Sequence, residues 1–216
     1  MRRQYFNTPK YAVPINHRCF SSNTSLLVIR SFYPQTAERV DAGFKCNGVR
    51  WHAVTPTTEH KDLSKPVAML FADPIVRFFA SCRKDQISSY TIPLTLANQE
   101  KKWCSFHFWP QSRFLAENEQ PIYLFKFPND LQKFCDFIGA NKQYLPEINS
   151  KKFTDEQLNF IDRDLDSIVE AYEDDFSVYN ALLSSKPGIL FSDLSVSLNR
   201  IDSYGSKNNY LTLLRY

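Results

Sequence analysis

The sequence of 216 residues is poor in glycine and has no paired cysteines, and each shortage excludes a class of protein. Five glycines stand against eighteen phenylalanines, which argues against a low-complexity or disordered chain. The five cysteines are odd in number, scattered and without a C-x-x-C pair. Neither a disulfide framework nor a zinc site is therefore indicated, and we expect reduced thiols and no bound metal.

Long apolar runs and a strong net charge are also missing. No segment approaches the roughly 18 consecutive apolar residues of a membrane span, and the N-terminus lacks the apolar region of a signal peptide. The net charge of +3 is too small to indicate a nucleic-acid partner. The absence of a G-x-x-x-x-G-K-[S/T] motif disfavours a nucleotide or phosphate kinase. We expect a soluble, cytoplasmic protein that binds neither nucleic acid nor membranes.

The composition is that of an ordinary globular domain, with 43% hydrophobic and 23% charged residues. The length fits one domain that can bury a core without metals or crosslinks. We predict an α/β domain over residues 1–185 and a C-terminal extension, residues 186–216, that packs on it or adds an edge strand.

The segment from Val67 to Lys84 predicts a strand, a tight turn and a helix. Val67–Phe71 is a continuous apolar run, typical of a strand that is buried on both faces of a parallel sheet. Asp73 can cap the helix, and Pro74 fits the first helical position. One helical face carries the apolar residues Ile75, Phe78, Phe79 and Cys82. The N-terminus of such a helix is a natural anion site.

Two further segments repeat this order. The strand Tyr11–Ile15 precedes the polar loop Asn16–Thr24 and a helix within Ser25–Tyr33, which Pro34 should end. Pro121–Phe127 precedes the helix Asp130–Ile138. Repeated β–α units predict a mainly parallel central sheet with helices on both faces. Two further predicted elements are the strand Val49–Thr55 and the helix that Thr154 and Gln157 open with a capping box.

The polar loop Asn16–Thr24 has two interpretations. A hydroxyl-rich loop between a strand and a helix can hold a phosphate through its backbone N–H groups and hydroxyls. The simpler alternative is an ordinary helix start, in which a serine or asparagine caps Leu26–Phe32. The loop alone does not decide between them.

Four segments resemble motifs of the sulfotransferase superfamily, the carbohydrate and bacterial branch in particular. Asp73–Phe79 resembles part of R-D-P-x-x-R-F-x-S, and His107–Leu115 resembles H-F-x-P-Q-x-x-F-L. Asn149–Lys152 resembles an N-x-S stretch, and Ala171–Tyr179 resembles L-Y-x-x-D-F-x-x-Y. The resemblance implies a P-loop-like three-layer α/β sandwich. It also implies transfer of a sulfuryl group from 3′-phosphoadenosine-5′-phosphosulfate (PAPS) to a hydroxyl on a small molecule or carbohydrate.

The resemblance also implies roles for particular residues. Arg18 stands where the family has the lysine of its 5′-phosphosulfate loop, and His52 is the preferred catalytic base, with His60 in reserve. The residues that would contact the cofactor are Arg18, Ser21, Ser22, Asn23, Thr24, Asp73, Arg77 and Ser81. An arbitrary histidine is nevertheless more often a surface or core residue than a base, and His107 is more simply read as a hydrogen-bonded imidazole in an aromatic loop.

Two departures from the family pattern favour a second hypothesis. Ala72 and Ala80 stand where the family has the arginine and serine that bind the 3′-phosphate. Losing one charge-assisted contact forfeits about 1.5–3 kcal/mol, so two losses could abolish PAPS binding. The alternative is a catalytically inactive sulfotransferase-fold protein that serves as a binding or interaction module. The aromatic loop Trp103–Trp109 and the C-terminal extension would then be candidate surfaces for a protein partner.

Overall fold

The computed structural model describes residues 4–16, 21–41, 57–59, 63–84, 106–115, 118–145, 147–148 and 152–194. The predicted strand Val49–Thr55 lies outside these ranges.

The described strands form one mixed sheet in the spatial order β3-β1-β2-β4-β5-β6. Its strands are β1 (Gln4–Asn7), β2 (Ala12–Pro14), β3 (Thr57–Glu59), β4 (Val67–Ala72), β5 (Ile122–Phe127) and β6 (Ile189–Leu190). β4 pairs parallel with β2 and with β5, while β1 pairs antiparallel with β2 and with β3, and β6 pairs antiparallel with β5. Strands β2, β3, β4 and β5 therefore point the same way, and the predicted α/β fold with a mostly parallel sheet is confirmed.

Helices follow three of these strands and fill the C-terminal third of the described chain. They are α1 (Ser21–Phe32), α2 (Pro34–Asp41), α3 (Pro74–Lys84), α4 (Leu131–Ile138), α5 (Asp155–Ala171) and α6 (Glu173–Leu183). Short 3₁₀ turns at Phe106–Phe108 and Gln111–Phe114 lie between α3 and β5.

The alternation of side chains along β4 places helices on both faces of the sheet. Ala68, Leu70 and Ala72 pack in one cluster with α1 and α4, whereas Val67, Met69 and Phe71 pack in another with α6. Successive side chains of a strand point to opposite faces, so one apolar run supplies both layers of the core. This explains why all six residues of β4 are buried.

A third cluster joins α3, α5 and the start of α6 and is rich in aromatic rings. Phe78, on α3, lies with its ring centroid 6.3 Å from Phe160 of α5 and 6.2 Å from Tyr172, which precedes α6. Both Phe78 and Phe79 are fully buried. Burial of each such side chain contributes about 1.5–3 kcal/mol, which fixes α3 against the helical layer.

Local capping explains where several helices begin and end. The carboxylate of Asp73 accepts hydrogen bonds from Ile75 N and Val76 N, and α3 begins at Pro74 as predicted. Thr154 and Gln157 form the predicted capping box of α5. Gly139 ends α4 with a φ of 75°, a left-handed conformation that glycine adopts without strain.

One prediction about the first β–α unit is wrong and another is confirmed. α1 begins at Ser21, so residues 21–24 form its first turn and not a loop. The helix ends at Phe32, before Pro34, as predicted. Pro34 then opens α2, because proline fits the first helical position, where no intrahelical N–H is needed.

The chain segments that follow β2 and β4 lead toward opposite ends of the sheet. The chain after β2 carries α1 on one face and reaches β3 beyond β1, whereas the chain after β4 carries α3 on the side of α6 and reaches β5. β2 and β4 are adjacent and parallel. The chain continues from β2 toward one end of the sheet and from β4 toward the other, so the strand order reverses between these two strands. In open α/β sheets, ligands bind outside the carboxyl ends of the strands at such a switch point.

Candidate functional site

The candidate site is the carboxyl edge of the sheet between β2 and β4. α1 begins after β2, and α3 begins after β4, so two helix N-termini start from this edge. Backbone N–H groups at a helix N-terminus attract anions. At α3 part of this capacity is already used, because Asp73 Oδ1 accepts hydrogen bonds of 2.8 Å from Ile75 N and 3.1 Å from Val76 N.

Gln111, two residues after the aromatic loop, binds the end of β4. Its side chain is fully buried, and its amide binds both backbone groups of Ala72: Oε1 accepts from Ala72 N at 3.0 Å, and Nε2 donates to Ala72 O at 2.8 Å. The side-chain amide thus takes the place of a neighbouring strand at the end of β4. Gln111 Oε1 accepts a second hydrogen bond, of 3.0 Å, from Asn16 Nδ2.

Asn16 lies at the same edge, two residues after β2, and is 3% exposed. Its Nδ2 donates to Leu70 O and to Gln111 Oε1, both at 3.0 Å. Its Oδ1 is buried and has no hydrogen-bond partner among the described residues.

Asp175 holds Gln111 from the other side. Its carboxylate, on the first turn of α6, accepts hydrogen bonds from Gln111 N at 2.8 Å and from Ser112 N at 2.7 Å. Burial raises the pKa of the Asp175 carboxyl above its usual range, and the Arg77 guanidinium and the Ser112 and Gln111 N–H donors oppose this shift. We call the four residues Asn16, Gln111, Asp175 and Arg77 the polar network.

The polar network changes the interpretation of two predicted cofactor ligands. Arg77 is 2% exposed and interacts with Asp175, so its charge acts within the fold. Ser81 is fully buried, with its hydroxyl 2.9 Å from Arg77 O and 2.7 Å from His107 O. Ser81 therefore joins α3 to the aromatic loop at His107, and the Arg77 charge acts on Asp175.

The predicted residues of the β2–α1 unit lie in α1. Asn23 is half-buried, and Thr24 is 6% exposed. Thr24 Oγ1 is a second buried polar atom without a hydrogen-bond partner within the described part of the chain. Ser21 and Ser22 open the helix. Arg18, His52 and His60 lie outside the described residues.

Two described residues of the aromatic loop, Phe108 and Trp109, have contacts outside it. Phe108 is buried, and its carbonyl accepts a 2.9 Å hydrogen bond from Tyr172 OH. The Arg113 guanidinium lies 4.6 Å from the centroid of the Trp109 ring. His107 is half-buried, consistent with a structural role for this loop.

The polar network was not predicted as a unit. Gln111 and Asp175 lie inside the segments quoted for the family resemblance, but their types and spacing do not show that they meet. Asn16 lies in a loop as predicted, but the composition of this loop does not show that it meets Gln111. The one available signal was the position of polar residues directly after or between strongly apolar and aromatic runs.

No family model, curated protein or solved structure matches this chain. The described residues contain no group of histidine, cysteine and acidic side chains that could hold a metal ion. Among the described helices, none has the length and apolar character needed to cross a membrane.

Proposed function

We propose that this protein is a sulfotransferase-like enzyme that binds PAPS at the edge between β2 and β4 and transfers its sulfuryl group to a hydroxyl, with a carbohydrate as the first candidate acceptor. One observation carries the proposal. Three segments that resemble the family, around Arg77, Gln111 and Asp175, are far apart in the sequence but meet where β4 ends and α3 begins.

The proposed chemistry is an in-line displacement at sulfur. The acceptor oxygen forms a bond to sulfur while the bond from sulfur to the bridging phosphate oxygen breaks, and the acceptor proton passes to His52 or, in reserve, His60. Arg18 neutralises the charge that develops on the leaving phosphate, and the N-terminal turn of α1, with Ser21, Ser22, Asn23 and Thr24, binds the phosphate oxygens.

The topology is consistent with this proposal. A strand order that reverses between β2 and β4 is where nucleotides bind in open α/β sheets. The proposal includes a P-loop-like architecture and a cytoplasmic location. Asp73 would serve as the cap that shapes the turn to α3 rather than as a direct phosphate ligand, because its carboxylate repels an anion.

The residues at the positions that would bind the 3′-phosphate support a second candidate function, a binding module without catalysis. Ala72 and Ala80 offer no side-chain contact, and Arg77 and Ser81 are engaged within the fold. On this alternative the scaffold persists while cofactor binding is lost, and the aromatic loop or the C-terminal extension binds a protein partner.

Thermal unfolding with adenosine 3′,5′-bisphosphate, compared with 5′-AMP, separates the candidates. At one hundred times its dissociation constant, a ligand adds about 2.7 kcal/mol to stability, or roughly 5–10 °C in Tm for a chain of this size. We expect a larger shift with the bisphosphate than with 5′-AMP. Absence of any shift at millimolar bisphosphate would exclude the PAPS enzyme.

Arg18→Ala tests the phosphate contact, and Lys10→Ala is its matched control. Lys10 is exposed in the turn before β2, at the opposite edge of the sheet, and carries the same charge. We expect Arg18→Ala to weaken bisphosphate binding about tenfold or more, and Lys10→Ala to leave it unchanged. Binding without transfer of radiolabelled sulfuryl groups from PAPS to any hydroxyl acceptor would favour the binding module.

A further inference from the structure

The side-chain amide of Asn16 has a fixed orientation. Both amide hydrogens are used, since Nδ2 donates to Leu70 O and to Gln111 Oε1. Both partners are acceptors, so the nitrogen must face them and the amide cannot be turned around. The carbonyl oxygen is therefore held in a defined position and takes part in neither of these hydrogen bonds.

This carbonyl oxygen is buried without a hydrogen-bond partner among the described residues. Buried polar atoms in proteins almost always have a partner, and an exception calls for a ligand, ion or water that completes it. The amide is also firmly supported, because Asp175 holds the backbone of Gln111 and the Gln111 side chain is bound to Ala72. Such a supported acceptor is preorganised for a ligand group at the carboxyl edge.

We propose that Asn16 is a specificity-determining residue whose Oδ1 accepts a hydrogen bond from a sugar hydroxyl of the ligand. The inference rests on the proposed function, since it places the same ligand at the β2–β4 edge. A carbonyl oxygen only accepts hydrogen bonds, so it repels phosphate and sulfate oxygens and requires a donor. The anionic group of the ligand belongs at the N-terminal turn of α1, which begins five residues after Asn16.

A phosphorylated or sulfated sugar presents both groups within a few bonds of each other. The hydroxyl could belong to the ribose of the nucleotide or to the carbohydrate that carries the transferred sulfuryl group. Both sources present the same chemistry, an anionic ester beside a hydroxyl donor.

The nucleotide arm of the test compares adenosine 3′,5′-bisphosphate with its 2′-deoxy analogue by titration calorimetry. The carbohydrate arm compares glucose 6-sulfate with cyclohexylmethyl sulfate, which has the ring and the ester but no hydroxyl. In the arm that supplies the donor, we expect the hydroxyl-bearing ligand to bind wild-type protein about tenfold more tightly. In Asn16→Ala this preference should disappear while the hydroxyl-free ligand keeps its affinity.

Each outcome of these titrations either supports or overturns the proposed role of Asn16. Loss of the preference in Asn16→Ala supports the proposal, and the arm in which it occurs identifies the sugar. Equal binding within both pairs, or a preference that persists in the variant, overturns it. If the bisphosphate binds but neither pair depends on Asn16, the proposed function survives and this inference fails, whereas absence of binding by all four ligands refutes both. If Asn16→Ala does not fold, Asn16→Leu, which is close to asparagine in size and offers no acceptor, replaces it.

Discussion

The hydroxyl of Thr24 provides a way to separate stability from ligand binding at a single residue. Valine has the same shape as threonine, and Thr24 Oγ1 makes no hydrogen bond to other described residues that the change would break. Leaving a buried hydroxyl unsatisfied costs about 1–3 kcal/mol, so we expect Thr24→Val to raise the unfolding free energy of the ligand-free protein by about 1 kcal/mol. The same change should weaken bisphosphate binding.

Thr8→Val is the matched control for this prediction. Thr8 is also buried, but its hydroxyl exchanges 3.0 Å hydrogen bonds with the backbone O and N of Tyr11. We expect Thr8→Val to lower the unfolding free energy by about 1 kcal/mol and to leave ligand binding unchanged. Urea unfolding measures both variants, and destabilisation by Thr24→Val would show that its hydroxyl serves the fold.

Asp175 is the residue on which we expect the fold to depend most strongly. Both carboxylate oxygens accept backbone N–H bonds, so in Asp175→Asn the new NH₂ group must face one of these donors. The buried Arg77 guanidinium also loses the opposing charge. We expect a loss of about 3–5 kcal/mol in unfolding free energy, the usual cost of breaking a buried ion pair.

Asp174→Asn controls for the charge of the first turn of α6. Asp174 is exposed and adjacent, so its replacement removes the same favourable interaction with the helix dipole without touching Gln111. Its effect should stay below about 1 kcal/mol. Similar urea midpoints for the two variants would mean that the buried contacts of Asp175 contribute little.

At the scale of the element, the capping box of α5 shows how much the first turn of a helix contributes to the unfolding free energy. Thr154 Oγ1 accepts from Gln157 N, and Gln157 Oε1 accepts from Thr154 N. Thr154→Ala removes one half of this capping box, so we expect a loss of about 1 kcal/mol in unfolding free energy. Thr154→Ser keeps the hydroxyl and should retain most of the stability; equal losses in the two variants would argue against the cap.

The elements could be predicted from the sequence where a local rule and the tertiary structure agree. β4, β5, α3 and α5 were predicted because apolar runs, caps and helical periodicity all indicate the same structure there. The start of α1 was missed, because serine, asparagine and threonine are favoured both in loops and in first helical turns. The tertiary contacts of the segment decide whether it forms a loop or a helical turn, and a local sequence pattern carries no information about those contacts.

At the scale of the whole molecule, the titration of the Cys135 thiol should make the unfolding free energy depend on pH. Burial raises its pKa from 9.0 to about 11, with Asp136 adding to the shift and Lys142 opposing it. A raised pKa means that the folded state holds this proton more tightly than the unfolded chain. The stability that this provides is complete below pH 9 and is lost as the pH rises through about 11.

Cys135→Ala removes this titration from the folded protein. Between pH 9 and about 11, we expect the unfolding free energy of wild-type protein to fall more steeply than that of Cys135→Ala. Denaturant unfolding at a series of pH values measures the difference. Parallel curves would show that the thiol has the same pKa in the folded and unfolded states.

The candidate site was predictable only at the level of its two helix starts. The turn from β4 to α3 follows from Asp73 and Pro74, and the anion preference follows from the helix N-terminus. The convergence of Asn16, Gln111 and Asp175 depends on strand order and on helix packing across 160 residues of chain, from 16 to 175. Such long-range contacts leave no local periodicity by which they could be found.

The pairing of β4 with the Gln111 side chain has a consequence for amide hydrogen exchange. The N–H of Ala72 is bound to a side-chain oxygen and not to a neighbouring strand. A rotation of one glutamine side chain would expose this proton, whereas the N–H groups bonded between strands exchange only when part of the sheet unfolds. The exchange rate of this single amide therefore reports how long Gln111 keeps its native position, independently of global unfolding.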